Sequence, residues 1–137
     1  MSAPADDPRH LLAPDGWAPP RGYVNGVVAE GRIVALAGQV GWDPATGEFA
    51  SDDLVEQTAQ ALRNVAALLE AAGAAPRHLV RMTWYVTSRD AYMAARRALS
   101  PVWREAMGTT FPPMSVVFVT ALVEERALIE IEATAVV

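Results

Sequence analysis

The sequence FPPMSVVFVTAL, residues 111–122, is followed after a short charged link by LIEIEATAVV, residues 128–137. Both runs are rich in β-branched and apolar residues, and Pro112 and Pro113 near the start of the first run prevent strand pairing ahead of them. The two runs therefore predict an antiparallel hairpin. Because side chains alternate along a strand, Glu130 and Glu132 are predicted to share one strand face, with isoleucines on the other.

Composition limits the possible classes of protein. A chain of 137 residues with 52% hydrophobic and 20% charged residues indicates one globular domain with a sizeable core. The net charge of −5 and the lack of a basic stripe disfavour nucleic-acid binding. There is no cysteine, no apolar run of membrane-spanning length, and no secretory signal pattern at the acidic, proline-rich start. We therefore expect a cytoplasmic protein with neither nucleic-acid nor membrane partners.

The N-terminal third divides into an arm and a hairpin. Residues 1–21 contain five prolines and predict an extended arm with a disordered tip, ahead of a single domain at residues 22–137. Residues 24–29 and 32–40 are β-rich and meet at Gly31. Since glycine readily adopts the positive φ of a tight turn, this pattern predicts a β hairpin.

Two helices are predicted in the middle of the chain. The first is capped by Asp53 and ended by Gly73, and its apolar stripe includes Leu68. Residues 79–86 alternate as a strand. The second helix follows that strand, and we expect it to bend or restart at Pro101, because proline removes a helical hydrogen bond.

The resulting order β-β-α-β-α-β-β predicts an α+β fold, a mainly antiparallel sheet with two helices on one face. Two helices cover only one face of such a sheet. The other face also carries apolar residues, and a patch of that size is rarely exposed on a monomer. We therefore predict a homo-oligomer that buries this face and holds any pocket at a subunit boundary.

Local motifs do not identify an activity. His10 and His78 each lack a second ligand at metal spacing, so they are interpreted as surface histidines, and neither a metal nor a cofactor is expected. Glu130 and Glu132 could form an acid/base pair, although two carboxylates on one strand face are more often simply solvated. Tyr23 fits a core position as well as a site.

An ordered set of short segments carries a family resemblance. The chain resembles the RidA/YjgF family in the segments GYVN (22–25), AGQVG (37–41), DPATG (43–47), QTAQALRN (57–64) and IEIEATA (129–135), together with Gly73. The resemblance implies a chorismate-mutase-like fold that forms homotrimers with three small-molecule pockets at the subunit interfaces. It also implies hydrolysis of reactive enamines and imines to 2-keto acids and ammonia, a deaminase-type hydrolase reaction.

The resemblance also assigns roles to residues. It implies that Glu130 positions the attacking water and that Tyr23 hydrogen-bonds the substrate, which makes these two the candidate catalytic residues. It implies that Gly38 lines the pocket and that Tyr85 is contributed across the interface, which makes both of them candidate substrate-binding residues.

One position departs from the family pattern. The deaminases have an arginine that clamps the substrate carboxylate, but this chain has Met114, followed by Ser115 and Val116. A thioether cannot replace the two charge-assisted hydrogen bonds of a guanidinium. We therefore favour an imine or enamine less anionic than a 2-imino acid, with Met114, Ser115 and Val116 lining its pocket. A non-catalytic trimer that binds a metabolite or a partner protein is the alternative. A third possibility is a deaminase that uses Arg21 or Arg81 as the clamp.

Overall fold

A computed structural model describes residues 8–137 of the chain. The strands and helices, in chain order, are β1 (His10–Leu11), β2 (Val27–Val28), β3 (Ile33–Val40), α1 (Leu54–Ala71), β4 (Leu79–Val86), α2 (Arg89–Met107), β5 (Met114–Phe118) and β6 (Ile129–Val136). From β2 onward this order is β-β-α-β-α-β-β, as predicted, and β1 adds a two-residue strand ahead of it.

The main sheet has the strand order β3-β6-β4-β5. β6 pairs antiparallel with β3 and β4, whereas β5 pairs parallel with β4. The sheet is therefore mainly antiparallel, as predicted, but the predicted hairpin of residues 111–122 with 128–137 is wrong. α2 is the long crossover that two parallel strands require, and it delivers β5 to the outer side of β4. β6 then returns to the centre, where it pairs along both of its edges.

The predicted N-terminal hairpin is also wrong. β2 pairs with β1 in a separate two-stranded sheet, and β3 pairs with β6. Gly31 does have a positive φ of 142°, but its role is close approach to the C-terminal strand. A Cβ at Gly31 would lie 2.8 Å from the carbonyl oxygen of Val137.

Both helices pack on one face of the main sheet, as predicted. The side chains of Leu62 and Leu69 from α1 are fully buried against the sheet. Asp53 caps α1 by accepting the amide of Glu56 at 3.0 Å, and Gly73 follows the helix end with a φ of 72°. Both predicted ends are therefore confirmed. The placement of Leu68 on the buried stripe is wrong, because 37% of this residue is exposed.

α2 is one continuous helix. Ser88 caps it by accepting the amide of Ala91 at 3.1 Å, and Gly108 ends it with a φ of 71°. The expected restart at Pro101 does not occur. Pro101 and Arg97, whose carbonyl loses its helical donor, are both exposed. Water can therefore satisfy that carbonyl without a break in the helix.

The described part of the N-terminal arm packs on the domain. Arg9 is only 5% exposed, and its Nη1 donates to the carbonyls of Leu79 at 3.0 Å and Phe111 at 2.9 Å. The amide of Leu12 donates to the carbonyl of Gly26 at 2.9 Å. The predicted disorder of the arm's tip concerns residues 1–7, which lie outside the described residues.

Candidate functional site

β6 presents its two glutamates on the sheet face that points away from the helices. Ile129 and Ile131 are fully buried in the core, whereas Glu130 is half-buried and Glu132 is exposed. The predicted alternation is therefore confirmed. Because cross-strand partners share a face, this open face also includes Arg81, Thr83 and Tyr85 from β4, Ser115 and Val117 from β5, and Thr134 from β6.

Gly38 leaves the space in which the Glu130 carboxylate lies. β3 has a register irregularity between Leu36 and Gln39, and Gly38 lies within it. A Cβ at Gly38 would be 2.7 Å from both Cδ and Oε2 of Glu130. Any larger residue would therefore displace this carboxylate.

Tyr85 is bonded to the second glutamate. It is the cross-strand neighbour of Glu130, and its hydroxyl donates to Oε1 of Glu132 at 2.5 Å. The hydrogen bond to Glu132 is the largest cause that raises the pKa of Tyr85 above its usual 10.0, and the negative charge of both glutamates adds to the effect. Arg81 acts in the opposite direction. Tyr85 therefore remains a neutral hydrogen-bond donor at neutral pH.

The three candidate residues of β5 do not share a face. Ser115 is paired with Thr83 and lies on the open face. Met114 and Val116 are paired with Met82 and Trp84, and both pack against the core on the helix side. Only Met114 lines a cavity there. The expectation that Met114 and Val116 together form a pocket wall beside Glu130 is therefore not met within one copy of the chain.

Tyr23 lies at the same end of the sheet as Met114. Its neighbour Val24 forms an isolated bridge with Pro113, the residue just before β5. Tyr23 itself is 41% exposed. The preceding residue, Gly22, lines the same cavity as Met114.

This cavity lies between α2 and the sheet and has a volume of about 310 Å³. Its lining residues are Gly22, Trp84, Tyr92, Arg96, Leu99, Ser100, Trp103, Arg104, Gly108, Thr109, Phe111 and Met114. Most of these residues are apolar or aromatic, as in typical ligand pockets. Arg96 and Arg104 were missed by the sequence analysis, and neither Arg21 nor Arg81 lines the cavity.

The candidate residues therefore form two groups on opposite faces of the sheet. Glu130, Gly38, Tyr85 and Ser115 belong to the open face. Met114 and Val116 belong to the α2 side, and Gly22, which precedes Tyr23, lines the cavity there. A single copy of the chain does not bring Glu130 and the cavity together.

α1 fixes the segment that leads into β6. Gln57 is 1% exposed, and its Nε2 donates to the carbonyls of Ser51 at 2.9 Å and Arg126 at 3.0 Å. Its Oε1 accepts the amide of Leu128 at 2.8 Å. The bonds to Arg126 and Leu128 join the segment just before Glu130 to α1. Gln57 therefore sets where β6 begins.

The described residues show neither a cluster of metal ligands nor a membrane-spanning helix. Residues 8–137 contain no group of three or more histidine, cysteine, aspartate or glutamate side chains that could hold a metal ion. His10 is exposed, whereas His78 is half-buried and its Nδ1 accepts the amide of Ala75 at 2.9 Å. Neither helix of the described chain is long and apolar enough to cross a membrane.

Comparison with known proteins establishes the family. Residues 15–137 match the family described as Endoribonuclease L-PSP. A 2-iminobutanoate/2-iminopropanoate deaminase of Salmonella typhimurium is 37% identical over 114 residues, which are 83% of this chain and 86% of that protein.

Solved structures share the fold. A Rid family protein of unknown function from Yersinia pestis, YyfB, superposes with a TM-score of 0.79 at 34% identity, covering 95% of this chain and 99% of that one. TdcF of E. coli, solved with bound serine, gives a TM-score of 0.68 at 29% identity and covers 96% of this chain and 94% of that one. The fold and open sheet face thus define a chorismate-mutase-like α+β protein. The chain belongs to the RidA/YjgF family.

Proposed function

We propose that this protein hydrolyses a reactive imine or enamine in a pocket formed between copies of the chain, arranged as a homotrimer. The observation that carries the proposal is the Glu130 carboxylate held in the space left by Gly38 on the open face. The similarity to a 2-iminobutanoate/2-iminopropanoate deaminase supports the reaction class.

The reaction needs one positioned carboxylate and no cofactor. Glu130 accepts a hydrogen bond from a water molecule and takes its proton as the water attacks the carbon of the C=N bond. Glu130 passes this proton to the substrate nitrogen, which gives a tetrahedral carbinolamine. Glu130 then takes the proton of the carbinolamine hydroxyl and delivers it to the nitrogen, so that the C–N bond breaks and ammonia leaves as the carbonyl forms. An enamine must first take up a proton at carbon to become the imine. Tyr23 supplies a hydrogen bond that orients the substrate.

The arrangement of the two groups supports a site between subunits. Glu130 faces away from α2, whereas Met114 lines the cavity beside α2. A neighbouring copy that buries the open face would place its own cavity edge near Glu130. Serine bound to TdcF supports a small molecule as the ligand.

The side chain at position 114 limits the charge of the substrate. Met114 supplies no cation, so β5 does not clamp a carboxylate next to the reacting carbon. The substrate is therefore less anionic around that carbon than a 2-imino acid clamped by arginine. The lack of cysteine continues to favour a cytoplasmic location, and the net charge of −5 continues to disfavour nucleic acid.

The test is ammonia release from freshly generated 2-iminopropanoate, 2-iminobutanoate and a bulkier imine. If the proposal holds, Glu130→Gln lowers turnover of the preferred imine by about 100-fold or more, as expected for loss of a positioned general base. Gly38→Ala should also lower turnover, because its Cβ displaces the carboxylate without removing it. Met114→Arg should shift preference toward the two small imino acids.

An alternative function is a trimer that binds a metabolite or partner without chemistry. The observation that favours it is the aromatic cavity, which contains no carboxylate in its wall. In that case ammonia would be released from every imine at the uncatalysed rate, and Glu130→Gln would leave that rate unchanged. Turnover that depends on Glu130 would exclude this alternative.

A further inference from the structure

α2 carries two parallel stripes at the cavity. Leu99, Trp103 and Met107 are spaced by four residues and are buried. Arg96, Ser100 and Arg104 have the same spacing and are exposed, and all three line the cavity. Because residues four apart lie on one side of a helix, Leu99 and Trp103 of the buried stripe form the floor of the cavity, and the arginines lie at its mouth.

These two arginines have no partners within the described chain. Among residues 8–137, neither Arg96 nor Arg104 forms a side-chain hydrogen bond or an ion pair, unlike Arg126, which bonds Asp52 at 2.8 Å. α2 contains four arginines and only two carboxylates, in a chain whose net charge is −5. The mouth of this cavity is therefore a local positive region that attracts anions.

The interior of the cavity suits a flat, apolar group. The rings of Trp103 and Phe111 are stacked, with centroids 5.7 Å apart and planes within 8°. The Trp84 ring lies 6.2 Å from that of Trp103. The indole nitrogens of Trp84 and Trp103 are buried and have no hydrogen-bond partner within residues 8–137. The cavity walls therefore present the apolar carbon surface of the rings to a ligand. β5 adds only the apolar Met114.

We propose that Arg96, assisted by Arg104, binds the acid group of the substrate while the aromatic cavity takes its body. This inference rests on the proposed function for the reaction and specifies its substrate class: imines or enamines that carry an aromatic or similarly flat group and an acid group set apart from the reacting carbon. The cation that selects the acid stands on α2, not on β5. Arg96 and Arg104 are specificity-determining residues at the cavity mouth.

Binding of 4-oxo-4-phenylbutanoate, measured by calorimetry on the full-length protein, tests this inference without relying on turnover. This stable keto acid has an aromatic body and a carboxylate set apart from its carbonyl carbon. Its methyl ester lacks the charge, and 4-oxopentanoate lacks the ring. We expect 4-oxo-4-phenylbutanoate to bind, and the ester and 4-oxopentanoate each to bind about 10-fold more weakly or worse.

Three arginine variants locate the cation. Arg96→Gln should weaken binding of 4-oxo-4-phenylbutanoate about 10- to 100-fold, the loss expected for a charge-assisted contact, and Arg104→Gln should weaken it less. Arg97→Gln is the matched control, because Arg97 is exposed on the same helix but does not line the cavity. It should leave binding unchanged within about twofold, as expected for a distant surface charge.

Some outcomes would overturn the inference while leaving the proposed function intact. Equal losses in Arg96→Gln and Arg97→Gln would indicate only a diffuse field, and an ester that binds as well as the acid would remove the role of charge. Imine turnover that requires Glu130 would still support the reaction. Conversely, Arg96-dependent binding without turnover of any imine would sustain this site and reject the reaction.

Discussion

Glu130 and Glu132 differ in what each carboxylate can do. Glu132 accepts the hydroxyl of Tyr85. Glu130 accepts no side-chain hydrogen bond from the described residues and lies in the space left by Gly38. Their spacing alone suggests an acid/base pair or a solvated face. The contacts instead indicate one carboxylate that orients a tyrosine and one that is available to a water molecule.

The Tyr85–Glu132 bond can be tested by alkaline titration. Because the charged carboxylate raises the pKa of Tyr85, Glu132→Gln should let Tyr85 ionise at lower pH, as followed by phenolate absorbance. Arg81 lowers this pKa, so Arg81→Gln should move ionisation to higher pH. Since the folded-state pKa lies above 10.0, the bond's contribution to stability is fully present below pH 10.0 and is lost as the pH rises through the folded value.

Tyr85→Phe assigns the signal in that experiment. Subtracting its titration from that of the unchanged protein isolates the ionisation of Tyr85. If Tyr85 ionised at the same pH in Glu132→Gln as in the unchanged protein, the hydrogen bond would not control this pKa.

At the level of elements, α1 is both a core helix and a polar clamp. Its apolar stripe was predictable from 3.6-residue periodicity, but the periodicity gave no sign that Gln57 and Asn64 would be buried. Asn64 donates to the carbonyls of Val40 at 3.2 Å and Trp42 at 3.0 Å. The side-chain amides of Gln57 and Asn64 therefore satisfy backbone groups of segments that pack against the helix. Such contacts depend on the tertiary structure and cannot be predicted from local periodicity.

Replacing Gln57 should destabilise the fold and the site together. Gln57→Leu leaves the Leu128 amide and two carbonyls without partners, so we expect a loss of about 2–4 kcal/mol in the free energy of unfolding. Urea denaturation measures it, with Arg63→Gln on the exposed side of α1 as the control, expected within about 0.5 kcal/mol. A loss no larger than that of the control would mean that water replaces all three bonds.

The strands of the main sheet were predicted at the right places in the chain, but two of the predicted strand pairings were wrong. Runs close in sequence were assigned to hairpins, yet β5 joins β4 through the α2 crossover and β2 joins the arm. Alternation within a strand depends on local geometry and was correct for Glu130 and Glu132. The choice of neighbour depends on which edges remain after the helices pack, and the local sequence does not contain that choice.

For the whole molecule, the candidate site is divided between two faces of one sheet. Glu130, Gly38 and Tyr85 were identified through a family resemblance, and their relation across strands required the register. Arg96 and Arg104 had only a weak signal in the sequence: they are eight residues apart and therefore lie on the same side of the second predicted helix. That spacing became informative only when β5 placed Met114 against the same cavity.

The sheet's open face is expected to form the subunit interface. This face is mixed and not mainly apolar as predicted: Ile33 on β3 and Val117 on β5 are 74% and 39% exposed, and charged residues of β4 and β6 lie between them. Exposed apolar side chains on both edge strands favour association. We predict that light scattering on the eluting protein gives about three times the chain mass of 14.7 kDa. Val117→Arg should shift the protein toward monomer and also abolish turnover, because Glu130 and the cavity then lie on separate molecules. Leu68→Arg, on the outer side of α1, is the control and should remain trimeric. A monomer with full Glu130-dependent turnover would contradict a site shared between subunits.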